Sequence, residues 1–394
     1  MDKLKSYYSK IPNIDLKSIK ANLNAKSFKE QLKNIDANFA SNIVIGMIAL
    51  LLLILIIHYW ILRPTISSEC SSLSKIYSNI QTNIKSLNEN DPNCKYFLRD
   101  YYTYTAYNCC GIGSYKDNYV DVCALKQLLL MGVRGLDFEV YSIDNQPVVA
   151  ISTSPSNFVK ETYNSIPFSQ IMYVLSSNAF SSGTCVNPDD PLIMHLRIKS
   201  TNTTMYQNLA NIFKQYDNLF LGPEYSYESH GKNLGIVPLL KLRKKIVLIV
   251  DKMNNSFMDC KDFYEYVNLT SNSIFMHALP FNNVKNTPDL VELQDYNKSN
   301  MTIVFPDNIG ANPVNPNLAT CLATGCQMIG MMFQFYDSNL QAYIQTFNSA
   351  GYAFSLKPEN LRLVPVTIPA PTPQNPSVSY QTRTITSDYY NFNI

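Results

Sequence analysis

Residues 43 to 62 read IVIGMIALLLLILIIHYWIL and carry no formal charge. At 1.5 Å per residue such a run makes a helix of about 30 Å, the thickness of a bilayer's hydrocarbon core. Gly46 and His58 are its only interruptions, Tyr59 and Trp60 fall where an interface would lie, and Arg63 with Pro64 closes it. The run therefore splits the chain into a short arm, a single membrane span and a long region beyond. A buried helix of a soluble protein is the competing reading. A cleavable signal fits poorly, because about forty mostly polar residues precede the run and no small-x-small site follows it.

The arm before the span contains eight lysines and four acids, whereas Arg63 is the first basic residue after it. This bias places the N-terminus in the cytosol and the rest of the chain on the luminal or external side. All nine cysteines follow the span, which suits an oxidising compartment. Sequons at Asn202, Asn254, Asn268, Asn297 and Asn300 also follow it; if glycosylated they would mark the same side. In the whole chain, 32 basic residues nearly balance 30 acidic ones, so nothing draws it to nucleic acid. The expected partners are a lipid bilayer and another membrane protein.

Five regions follow from this reading: a lysine-rich arm (1–41), the span (42–63), a stalk or linker (64–93), a large domain (94–363) and an extended arm (364–394). The stalk shows sparse apolar positions at Leu73, Ile76, Ile80 and Leu87. In the large domain, short β-branched runs alternate with helical periods. Strands are expected at 132–141, 147–151, 192–198 and 245–250, and helices at 121–131, 168–180 and 205–216. That alternation makes a parallel α/β domain, without choosing between a barrel and a doubly wound sheet. The prolines from Pro365 to Pro376 give an extended arm that ends in Tyr389, Tyr390 and Phe392, a protein-docking composition.

Five stretches make the choice. They are Ala106-Tyr107-Asn108-Cys109-Cys110, Gly132-Val133-Arg134-Gly135-Leu136-Asp137-Phe138-Glu139, Pro147-Val148-Val149-Ala150-Ile151-Ser152-Thr153-Ser154, Gly325-Cys326-Gln327-Met328 and Gly351-Tyr352-Ala353-Phe354-Ser355-Leu356-Lys357-Pro358. Taken in order, they resemble the two halves of the phosphoinositide-specific phospholipase C catalytic domain. The wording around Asp137 to Ser142 is similar to the divergent forms carried by large DNA viruses. The resemblance implies a (β/α)₈ barrel of the TIM type with its site at the C-terminal ends of the strands.

It also implies what chemistry would need: two histidines for proton transfer and a calcium ion held by Asn, Glu, Asp and Glu. Tyr107 and Thr153 stand at the histidine positions, and neither exchanges a proton readily near neutral pH. Asn108, Asp137 and Glu139 match calcium ligands, with the two acid lengths exchanged, but Arg197 occupies the fourth position and would repel the ion. His195 shares a strand face with Arg197, so His195, Arg197 and Asp137 are the candidates for a relocated site. Of the expected phosphate-binding lysines only Lys252 remains, with Arg197 as a second contact. Ile303-Val304-Phe305-Pro306 replaces a run that carries an arginine and a tyrosine. The sequence thus points to a membrane-anchored, catalytically inactive barrel without a cofactor, acting as a structural or protein-binding component of a large DNA virus particle. In that setting it would sit in the virion inner membrane. The alternative is a calcium-independent phosphatidylinositol phosphodiesterase that uses His195; calcium belongs to an enzyme reading only, and phosphoinositide contact would be weak.

Overall fold

The computed structural model describes residues 37–62, 64–153, 158–226, 233–307, 314–364, 369–375, 380 and 382–394. Two units result, one ending at Pro64 and one beginning at Thr65. In the first, helix α1 (Ala37–Leu62) is long and apolar enough to cross a membrane. None of its stretch Ser41–Tyr59 is buried among the described residues, unlike a typical core helix. Residues 1–36 of the expected arm lie outside the described residues.

In the second unit, helix α2 (Ile66–Tyr77) starts at Thr65, whose hydroxyl accepts from the Ser68 amide in a capping box. This is part of the segment expected as a stalk, and that expectation is corrected. Leu73, Tyr77, Ile84 and Leu87 are buried in the main core, and Cys70 is disulfide-bonded to Cys123 at the start of helix α3 (Val122–Leu130). Two apolar positions on the helix and two in the segment after it suffice to pin this stretch to a domain once each finds a pocket there.

The strands are β1 (Tyr101–Thr103), β2 (Thr105–Ala106), β3 (Gly135–Ile143), β4 (Gln146–Val149), β5 (Ile166–Pro167), β6 (Leu192–Lys199), β7 (Ile246–Asp251), β8 (Leu269–Ser271), β9 (Met276–Pro280), β10 (Met301–Phe305), β11 (Met328–Ile329) and β12 (Phe354–Leu356). A hairpin of β13 (Thr384–Thr386) and β14 (Asn391–Asn393) follows. Helices α4 (Phe168–Asn178), α5 (Thr203–Lys214), α6 (Lys261–Tyr264), α7 (Phe281–Lys285), α8 (Leu290–Ser299), α9 (Leu318–Ala323) and α10 (Ser338–Ala350) intervene.

Parallel ladders join β9, β10, β11 and β1, and others join β2, β3, β6, β7 and β8. Only Tyr104 separates β1 from β2, so the two series meet there. Gly135 permits the approach of β3 to β2, since a Cβ at that position would lie 2.3 Å from the Thr105 hydroxyl. Strand β7, IVLIVD, is buried along its whole length, as a central parallel strand must be. Among the described residues no ladder joins β8 to β9. Four residues connect these strands, too few for the crossover that parallel neighbours require. The α/β class is as expected, but the closed eight-stranded barrel is not made by hydrogen-bonded strands at that seam.

Candidate functional site

Asp137 and Glu139 lie on β3 directly opposite His195 and Arg197 on β6, and Tyr141 lies opposite Lys199. Side chains alternate along a strand, so these residues project from one face of the sheet. All four of the first group are at most 3% exposed. Asn108, just past β2, adopts a left-handed conformation at φ 48° that turns its amide toward the Asp137 carboxylate, 3.2 Å away.

Arg197 is the centre of this group. Its Nε and Nη2 donate to the two oxygens of Asp137 at 3.1 and 2.9 Å, and Nη2 also donates to Asn108 Oδ1 at 2.6 Å. Its Nη1 lies 3.5 Å from Glu139 Oε1. The guanidinium stacks 4.5 Å from the Tyr107 ring and 5.4 Å from Phe305. His195 Nδ1 is 2.7 Å from Asp137 Oδ1, and its Nε2 is 2.9 Å from Ser271 Oγ. An ionised Asp137 can only accept, so Nδ1 carries the hydrogen in that bond.

Burial opposes the charge on Asp137, but the Arg197 charge and the hydrogen bonds from His195 and Arg197 outweigh it and hold the carboxyl well below the usual range. Glu139 moves the other way. Burial raises it, and Arg197 with Lys199 compensates only in part. Burial also opposes the charge on Arg197, yet Asp137, Tyr107 and Glu139 hold its pKa well above the ordinary value. Lys199, 3.9 Å from Glu139, is lowered by burial and by the neighbouring guanidinium.

The calcium implied by the resemblance does not fit this arrangement. Ca²⁺ takes six to eight oxygen ligands. Here Asn108 Oδ1 and both Asp137 oxygens already accept hydrogen bonds from Arg197, His195 or backbone, and the Glu139 Oε2 atom accepts from the Ser152 amide at 3.1 Å.

Tyr107, at the first expected histidine position, is buried between Phe305, Tyr115 and Arg197. Thr153, at the second, directs its hydroxyl to Glu161. Lys252 lies elsewhere, lining a cavity of about 940 Å³ with Tyr225, Leu234, Asn268, Phe275 and His277. None of Asp137, His195 and Arg197 lines that cavity. The structure therefore unites Asn108, Asp137, Glu139, His195 and Arg197 and leaves Lys252 apart. Ser271 was missed by sequence reasoning, because its meeting with His195 depends on register carried across β7. Phe305, noted only for the residue it replaces, becomes one wall of the arginine pocket. Period-two alternation along β6 would have added Lys199.

The fold and this site can be set beside known proteins. The Y domain of phosphatidylinositol-specific phospholipase C matches residues 250–360. The crystal structure of PLC21 from L. pealei superposes with a TM-score of 0.56 at 18% identity, over 68% of this chain and 38% of that one. PLC21 from S. officinalis gives 0.54 at 18% identity, over 72% of this chain and 39% of its own. The chain thus spans less than two fifths of the length of either. No curated protein matches the sequence. Residues 250–360 thus resemble the Y domain of phosphatidylinositol-specific phospholipase C, and the chain shares its fold with these two structures.

Proposed function

We propose that the chain is a membrane-tethered, phospholipase C-like protein without turnover, serving as a structural or protein-binding component. The observation that carries this reading is Arg197, which from within the chain takes up the Asp137 and Asn108 oxygens of the would-be metal site. Tyr107 and Thr153 at the histidine positions support it, since each lost acid-base group commonly costs about 10²–10⁴-fold in rate. The exposed aromatics Tyr389, Tyr390 and Phe392 on the C-terminal hairpin suit contact with another protein. The proposed setting is the inner membrane of a large DNA virus particle, supported by the wording of the Asp137 motif; detection in protease-treated purified particles tests it, and reproducible absence counts against it.

Turnover is tested with the full-length chain in vesicles containing phosphatidylinositol and its phosphorylated forms, with and without calcium. No release of inositol phosphate above background is expected. Release that follows the purified chain through successive columns overturns the proposal.

One observation favours the second reading, a calcium-independent phosphodiesterase: Asp137, His195 and Ser271 form a continuous hydrogen-bonded chain beside Arg197. All three are fully buried, however, and proton transfer needs near hydrogen-bond contact with the reacting group. If activity is found, its loss in His195→Ala assigns it to this chain of residues.

A further inference from the structure

The five sequons test the compartment of the large domain independently of its chemistry. Asn297 is fully buried: its Nδ2 donates to the Thr324 carbonyl at 2.9 Å, and its Oδ1 accepts from the Thr302 hydroxyl at 2.6 Å. Asn268 is 7% exposed and bridges the Tyr225 carbonyl and the Leu248 amide. Asn254 donates to the carbonyls of Ile198 and Ser200 at 3.0 and 2.7 Å. Asn202 caps α5 through Oδ1 while its Nδ2 donates to Asn145 at 2.7 Å. Asn300 is half-buried and accepts from Asn233.

N-glycosylation attaches a bulky sugar to the Nδ2 atom, and it belongs to surface positions. At Asn297 and Asn268 a close-packed interior leaves no room for one. A domain that entered a glycosylating lumen unfolded would present all five acceptors before these contacts formed.

We infer that the domain after the span folds on the cytosolic side of the membrane, where these asparagines stay unmodified. This reverses the orientation expected from charge. That expectation rests on a small margin close to the span, where Lys26, Lys29 and Lys33 face Arg63 and Lys75. Seven of the nine cysteines are buried free thiols, in keeping with a reducing compartment. The Cys70–Cys123 bond pulls the other way. One cross-link between surface elements can be left unformed without emptying the core, whereas a glycan at Asn297 cannot be housed, so the asparagines decide.

The test uses the full-length chain synthesised with endoplasmic-reticulum vesicles, reading only the fraction that resists carbonate extraction. Native chain is compared with Pro376→Ala, which converts the Asn375-Pro376-Ser377 run of the tail into an acceptor. Neither chain is expected to shift on treatment with an N-glycosidase, and protease added to intact vesicles should remove the domain. A glycan on either chain, or a domain protected from protease, overturns the inference. A glycan on Pro376→Ala alone would show a luminal domain whose native sequons are passed over.

Discussion

Two regions near the strand ends divide what a binding or catalytic site needs between them. The β3–β6 mouth holds the charge: two carboxylates, a guanidinium and an imidazole within hydrogen-bonding reach, all almost wholly buried. The cavity beside β7, β8 and β9 holds the space, about 940 Å³, lined by uncharged polar and apolar residues with Glu224 and Lys252 as its charged side chains. The cavity adjoins the short β8–β9 connection, where no crossover helix covers the strands. The mouth closes because Arg197 supplies from inside the positive charge that a ligand or ion would otherwise bring. Charge that is largely satisfied within a protein stabilises one arrangement and leaves little to offer a ligand; among the carboxylate oxygens here Glu139 Oε1 alone lacks a hydrogen bond, with Arg197 Nη1 3.5 Å away.

If the mouth is a structural network, cutting its centre should cost most. Arg197→Ala leaves Asp137 and Glu139 buried without their main partner, and breaking such a pair is worth about 3–5 kcal/mol. The loss should appear as a lower denaturation midpoint in chemical unfolding. A change under about 1 kcal/mol would show that the mouth is not a stabilising network.

Acidification should next separate the native chain from this variant. Asp137 has a folded pKa below its unfolded value of about 3.9, so its stabilisation is present above that pH and is lost as pH falls below it. Glu139, with a raised folded pKa, acts oppositely: its contribution is present below an unfolded value of about 4.3 and is lost as pH rises through the folded one. Native midpoints measured at pH 5 and pH 3 should therefore fall more steeply than those of Arg197→Ala. Equal slopes would remove the Asp137–Arg197 pair from the account.

Ser271→Ala is the third test. It strips His195 Nε2 of its buried partner, at a cost of about 1–3 kcal/mol. The smallest effect belongs to the cavity. Ile274, 76% exposed on its wall, should tolerate Ile274→Ser within about 0.5 kcal/mol. A larger loss there would mean that the cavity wall carries more of the fold than its exposure implies.

The mouth was largely legible in the sequence because it rests on two short-range rules. Alternation places Asp137 with Glu139 and His195 with Arg197, and the family resemblance brings Asn108 beside them. Ser271 was not legible, since 76 residues separate it from His195 and only strand register brings them together. The same limit applies to the seam between β8 and β9. Helix and strand signals locate elements, but they do not reveal that a four-residue connection leaves no room for a crossover. Leu73 and Leu87 were misread because sparse apolar positions fit an isolated stalk and a docked helix equally well. Their burial depends on a surface formed elsewhere in the chain.

Calorimetric titration of the detergent-solubilised full-length chain with calcium near neutral pH tests the closed mouth most directly, set beside the same titration of Arg197→Glu. The native chain should show no specific binding, because Arg197 holds the oxygens that calcium would need, and the variant should gain binding by restoring an acid where the guanidinium stood. Micromolar binding by the native chain would contradict the account.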